Sequence, residues 1–129
     1  MDGQIRFGNE RVVFCGTRMG YSRTVEAGGF VYTSGHTAVD ETGAIGQGDI
    51  RAQTRLVLQK IERTLASAGC TLKQVIKTTV FIADPRDYWI MNDVYNEVFP
   101  DNSPVRTVVV AQPALSTKIE IDAVAYKGQ

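Results

Sequence analysis

The chain is poor in the residue types that most metal and nucleophile chemistry requires. It holds one histidine, His36, and two cysteines, Cys15 and Cys70, among 129 residues. So few imidazoles and thiols leave little support for a zinc site or a Ser-His-Asp triad built from one chain. The two cysteines lie far apart with no CxxC spacing, so unpaired thiols are expected. A charge excess is missing as well: Lys plus Arg and Asp plus Glu each total 14. No bulk field therefore favours nucleic acid or an anionic membrane surface. No apolar run approaches the roughly 20 residues of a membrane span, and the opening MDGQIRFGNER lacks the basic-then-apolar order of a secretory leader. A cytoplasmic protein with no membrane partner is the expectation. The length predicts one domain over residues 1–129 with a sizeable core.

What is present can be taken in chain order. Residues 1–18 are hard to place: Val12, Val13 and Phe14 have the composition of a short edge strand, punctuated by Gly3, Gly8, Asn9 and Gly16. Tyr21 to Glu26 and Phe30 to Ser34 are β-prone, and Ala27-Gly28-Gly29 between them reads as a hairpin turn. The stretch HTAVDETGAIGQGD reads as a loop whose glycines fail the phosphate-loop spacing. Asp49 is a good N-cap for a long helix in which Ile50, Val57, Leu58, Ile61, Leu65 and Ala68 share a stripe ending at Gly69. Its other face carries Arg51, Arg55, Glu62 and Arg63, the composition of a solvated surface.

Val75 to Ile82 alternates as a strand, with Ile76, Val80 and Ile82 expected opposite Lys77, Thr79 and Phe81. Asp84-Pro85 announces a second helix whose stripe is Tyr88, Met91, Tyr95, Val98 and Phe99, stopped by Pro100. Two strands close the chain. The order strand, strand, helix, strand, helix, strand, strand predicts an α+β fold with both helices on one face of a mixed sheet. The other face is then left for a second copy of the chain to cover.

The stretch PVRTVVVAQPALSTKIEIDAVA contains the chemistry. Val105 to Ala111 has the composition of a strand covered on both faces, and Arg106 interrupts it. In the last run Lys118, Glu120 and Asp122 alternate with Ile119, Ile121 and Ala123, so the charges share one face. Arg106 and Glu120 read either as a structural ion pair or water-facing charges, or as a carboxylate-binding guanidinium beside an acid that handles a proton. Periodicity leaves both readings open.

Pro104, Arg106 and Ile119-Glu120-Ile121 resemble the signature of the RidA/YjgF/YER057c/UK114 family. Tyr21-Ser22, Gly28 to Gly35, Val75 to Phe81, and Asn92 with Tyr95 and Phe99 match it too, so the resemblance spans about Tyr21 to Ala125 and leaves 1–18 weakly matched. It implies a chorismate-mutase-like fold of the bacillus type and a homotrimer with ligand clefts between subunits. It also implies hydrolysis of enamines and imines such as 2-aminoacrylate/2-iminopropanoate and 2-iminobutanoate to 2-oxo acids and ammonia, with no metal or organic cofactor. Carried over residue by residue, Arg106 would grip the substrate carboxylate, Glu120 would activate water, and Tyr21, Ser34, Gly35, Asn92 and Val108 would line the pocket. Val108 stands where the well-known deaminases carry a cysteine, and His36 replaces a common glutamine at the cleft entrance. The resemblance also admits a binding module for small carboxylates without turnover, or a deaminase of a different enamine. Ribonuclease activity, ascribed to some relatives, finds no His pair or acidic metal cluster in this sequence.

Overall fold

A computed structural model describes residues 4–8 and 12–128, so Gly3 and Asn9 lie outside the described residues. The main strands are β1 (Arg6–Phe7), β4 (Thr24–Ala27), β5 (Phe30–Thr33), β6 (His36–Thr37), β7 (Val75–Ile82), β8 (Val105–Val110) and β9 (Ile119–Tyr126). They form one sheet in the order β1-β4-β5-β9-β7-β8, with β6 also against β9. Two further short strands, β2 (Val13–Phe14) and β3 (Thr17–Arg18), pair only with each other. The stretch from Val12 to Phe14 thus enters a separate hairpin and is no edge of the main sheet. Its turn, Cys15-Gly16, has positive φ at both residues.

The sheet is mixed: β7 and β8 run parallel, and the other pairs are antiparallel. Helices α1 (Ile50–Ser67) and α2 (Tyr88–Val98) supply its cover. Asp49 caps α1 by accepting from the Ala52 amide at 2.9 Å, a contact worth about 1 kcal/mol. Gly69, at φ +79°, follows the helix in a conformation that other residues resist. Asp84 accepts from the Arg86 amide at 2.9 Å, and Pro85 to Asp87 form a 3₁₀ turn leading into α2. At the first hairpin, Gly28 and Gly29 both take positive φ, the requirement of a two-residue turn matched to strand twist.

The core lies between the helices and one sheet face. Val57, Leu65, Val80, Ile82, Met91, Val94, Ile119, Ile121 and Ala125 are fully buried there, and each large apolar side chain contributes about 1.5–3 kcal/mol by leaving water. The alternation expected in the last strand is observed: Ile119, Ile121 and Ala123 are buried while Glu120 and Asp122 stay half-buried on the opposite side. Tyr21 to Arg23 remain outside the first strand of the hairpin, and His36-Thr37, expected in a loop, pair with Ile121 and Glu120 of β9.

Two expectations need correction. The register of β7 against β9 slips between Val75 and Lys77, a bulge that leaves Ile76 unpaired and 44% exposed. The inward residues of β7 are therefore Val75, Thr78, Val80 and Ile82, and Ile76 is out of phase with them. The second concerns β8. Its valines suggested cover on both faces, but β8 is an edge strand, with Val105 67% and Val110 54% exposed. Aliphatic composition alone does not place a strand inside a sheet.

Candidate functional site

Arg106 pairs with Thr78 across the parallel β7–β8 ladder. Thr78 faces the helices, so Arg106 does too, beneath α2. Its Nη1 donates to Asn92 Oδ1 at 3.0 Å and its Nη2 donates to Tyr88 Oη at 3.0 Å. The guanidinium carbon also lies 4.8 Å from the centroid of the Tyr95 ring and 5.7 Å from that of Tyr88. Tyr88, Asn92 and Tyr95 sit at helical spacing on one face of α2, which is why a single helix supplies all three. Tyr95 is anchored in turn, its phenol hydrogen-bonded to Thr78 Oγ1 at 2.7 Å in the core. Burial holds the Tyr95 phenol above its ordinary pKa, so it stays neutral beside the cation. No carboxylate among the described residues pairs with Arg106. Val108, two residues on, faces the same way and packs on the core edge.

Glu120 lies on the other face. It pairs with Phe81 of β7, three residues beyond Thr78, and an odd offset in a period-two strand reverses the side. Arg106 and Glu120 of one chain therefore do not meet: the internal ion pair and the single-chain pocket are both excluded by strand register.

Glu120 opens into a cavity of about 1030 Å³ lined also by Tyr21, Ser34, Gly35 and His36. Tyr21 is half exposed at this cavity, and the Ser34 hydroxyl donates to the Ser22 carbonyl. Gly35 lets the Glu120 carboxylate rest against its backbone: a Cβ there would push that carboxylate aside. No described residue donates a hydrogen bond to Glu120. Burial raises its pKa above the ordinary carboxylate value, and Asp122, on the same face, adds to the rise. Lys77 acts on Asp122 in the opposite direction, against a rise that again begins with burial.

His36 borders this cavity with little exposed surface and turns its ring inward. Nδ1 donates to the Ser34 carbonyl at 2.7 Å, and Nε2 accepts from Thr64 Oγ1 of α1 at 2.8 Å. Burial is the main reason that its pKa falls to about 4. The neutral ring is thus a brace between β6 and α1. No group of three or more His, Cys, Asp or Glu among the described residues is arranged to hold a metal ion. No described helix is long and apolar enough to cross a membrane. Cys15 is exposed and Cys70 buried, both as free thiols.

The predicted site residues thus fall into two groups: Arg106, Asn92 and Val108 on the helix side, and Glu120, Tyr21, Ser34 and Gly35 at the cavity. Sequence reasoning missed Tyr88 and Tyr95 as neighbours of Arg106, having placed both in the buried stripe of α2. Their spacing of four and three residues from Asn92 was the available signal.

The chain is 43% identical over 109 residues to a RutC family protein of Pyrococcus horikoshii, covering 83% of this chain and 86% of that one. It is 34% identical over 110 residues to the human 2-iminobutanoate/2-iminopropanoate deaminase, covering 84% and 80%. A crystal structure of a Mycobacterium tuberculosis member of the YjgF/YER057c/UK114 family superposes with a TM-score of 0.79 at 32% identity, covering 95% of this chain and 99% of that one. The endoribonuclease L-PSP family pattern matches residues 15–127, and with an edge strand, motifs and fold all in agreement the chain belongs to that family, the YjgF/YER057c/UK114 proteins.

Proposed function

We infer that the protein is a cofactor-independent deaminase of small 2-imino acids, acting in clefts between neighbouring copies of a chorismate-mutase-like homotrimer. The single observation that carries this reading is that Arg106 and Glu120 each lack a charged partner of opposite sign among the described residues yet face opposite sides of one sheet. Each is half of a site that a second copy would complete. The exposed β8 edge and the aromatic and aliphatic residues on the uncovered face, among them Tyr32, Val105 and Val109, are suited to that contact.

The halves are chemically complementary. Arg106 uses two of its five N–H groups on Asn92 and Tyr88, and the others can hold a substrate carboxylate as a planar fork. The tyrosine rings restrict its rotation and exclude water around it. Glu120, with its raised pKa and no internal donor, is placed to orient a water against C2 of the imine. With the imine nitrogen protonated, the water oxygen bonds to C2, its proton passes to Glu120, and the C=N π pair moves onto nitrogen, giving a carbinolamine. Glu120 then gives that proton to the nitrogen. As the C–N bond breaks and ammonia leaves, the hydroxyl proton passes back to Glu120 and on to solvent, and C2 becomes the carbonyl of a 2-oxo acid. Tyr21 and Ser34 supply hydroxyls around the reacting group.

Coupling to a threonine dehydratase tests the reaction: the protein should accelerate 2-oxobutanoate release over buffer. Absence of any acceleration, with tight 2-oxobutanoate binding, would leave a carboxylate-binding module or a deaminase of another enamine. The shared cleft has its own test. Arg106→Ala and Glu120→Ala proteins, each inactive, should regain activity when unfolded and refolded together, since random mixing gives roughly a quarter of the clefts both groups. No recovery would remove the two-chain site.

A further inference from the structure

The cavity at Glu120 extends beyond that carboxylate as far as α1, with a volume of about 1030 Å³ in the single chain. Three cations also line it: Arg23, Lys60 and Arg63. Lys60 and Arg63 lie three residues apart on α1, side by side on one flank, where like charges cost helix stability. Lys60 is half-buried, and its Nζ donates to the Thr37 carbonyl at 2.7 Å, leaving two N–H groups for other acceptors.

The field around Lys60 is positive. Burial, then Arg23, then Arg63 lower its pKa, and no acid among the described residues acts to raise it. Lys60 and Arg23 also add to the depression at His36. The shift at Glu120 comes from burial and Asp122. Two further acids, Asp40 and Glu41, stand on the same wall, and Asp40 accepts from the Thr42 and Ala44 amides and the Thr42 hydroxyl. One cavity therefore joins a proton-handling carboxylate to a separate cationic group that α1 holds together at a cost.

We propose that Lys60 and Arg63 form a second anion subsite, so that the preferred substrates are 2-imino acids whose side chain ends in a carboxylate. The substrate class rests on the deaminase reading above, with Arg106 of the partner subunit on the first carboxylate and Glu120 at C2. Anion capture by the subsite does not depend on turnover.

Two product analogues with the same five-carbon chain separate the possibilities: 2-oxopentanoate and 2-oxoglutarate differ in the distal carboxylate alone. Titration calorimetry on the intact protein should show 2-oxoglutarate binding at least tenfold more tightly at low salt, an advantage that shrinks as salt rises. Lys60→Gln and Arg63→Gln should each bring the ratio of the two affinities towards one. Arg63 is exposed, so its replacement does not endanger the fold. Equal affinities in the wild type, or a ratio that survives both substitutions, would overturn the subsite. If 2-oxopentanoate binds in an Arg106-dependent way and 2-oxoglutarate binds no better, only the subsite fails; if neither acid binds, the deaminase reading fails with it.

Discussion

The two faces of the sheet use the same strands for different ends. On one face, Thr78, Val80 and Ile82 of β7 and Ile119, Ile121 and Ala123 of β9 disappear beneath the helices. On the other, Lys77, Thr79 and Phe81 alternate with them, and Glu120 and Asp122 stand on the neighbouring strand. The covered face is apolar wherever the core requires it and admits one guanidinium at its margin, clasped by Tyr88, Asn92 and Tyr95. On the uncovered face Glu120 has no hydrogen-bond donor among the described residues, whereas Asp122 is met by the Thr79 backbone and the Lys77 charge. Folding energy thus comes from one side, and the other carries the carboxylate to which the proposed chemistry is assigned, each strand contributing to both through alternate residues.

The comparison breaks most sharply at Glu120. Glu120→Gln should lower kcat/KM for 2-iminobutanoate hydrolysis by roughly 10²–10⁴-fold, with the melting temperature unmoved; a variant that is both fully active and stable would remove the acid from the reaction. Ile121→Ala, its neighbour on the covered face, should do the reverse. It should cost about 2–5 kcal/mol in urea unfolding, and a loss under about 1 kcal/mol would contradict the core assignment.

His36 provides a gentler test of the covered side. Its folded pKa of about 4 lies below the ordinary 6.5, so the unfolded chain binds the proton first as pH falls. Stability is full above pH 6.5 and declines through the interval down to about 4, by about 3 kcal/mol if the shift is fully expressed. Denaturant melts across this range should show the slope, and His36→Gln should flatten it. The smallest effect is expected at Asp122. Removing its charge in Asp122→Asn takes away one of the two causes that raise Glu120. The acidic limb of the pH–rate profile should then move to lower pH, and an upward movement would reverse the assignment.

Much of the fold was legible because its signals are local. Asp49 before a helical stripe, Gly28-Gly29 between β-prone runs, and the alternation from Lys118 to Ala123 each state their structure within a few residues. The bulge at Ile76 was not legible, since one inserted residue changes the phase of a strand without altering its composition. The short strand at His36-Thr37 was not legible for a related reason: so brief a segment is defined by its partner, here Ile121 and Glu120 of β9. The candidate site shows the same division. The residue types at positions 106 and 120 could be singled out from their apolar surroundings, but their opposite orientation could not.

The amino-acid order alone determined the two helices and the longer strands, which residues of the last strand share a face, and the motifs that mark the family. Tertiary structure decided that Arg106 looks towards α2 while Glu120 looks away from it. That outcome depends on the parity of two strand registers, Arg106 against Thr78 and Glu120 against Phe81. Register is set by hydrogen bonds between segments distant in the chain, so no local period can carry it.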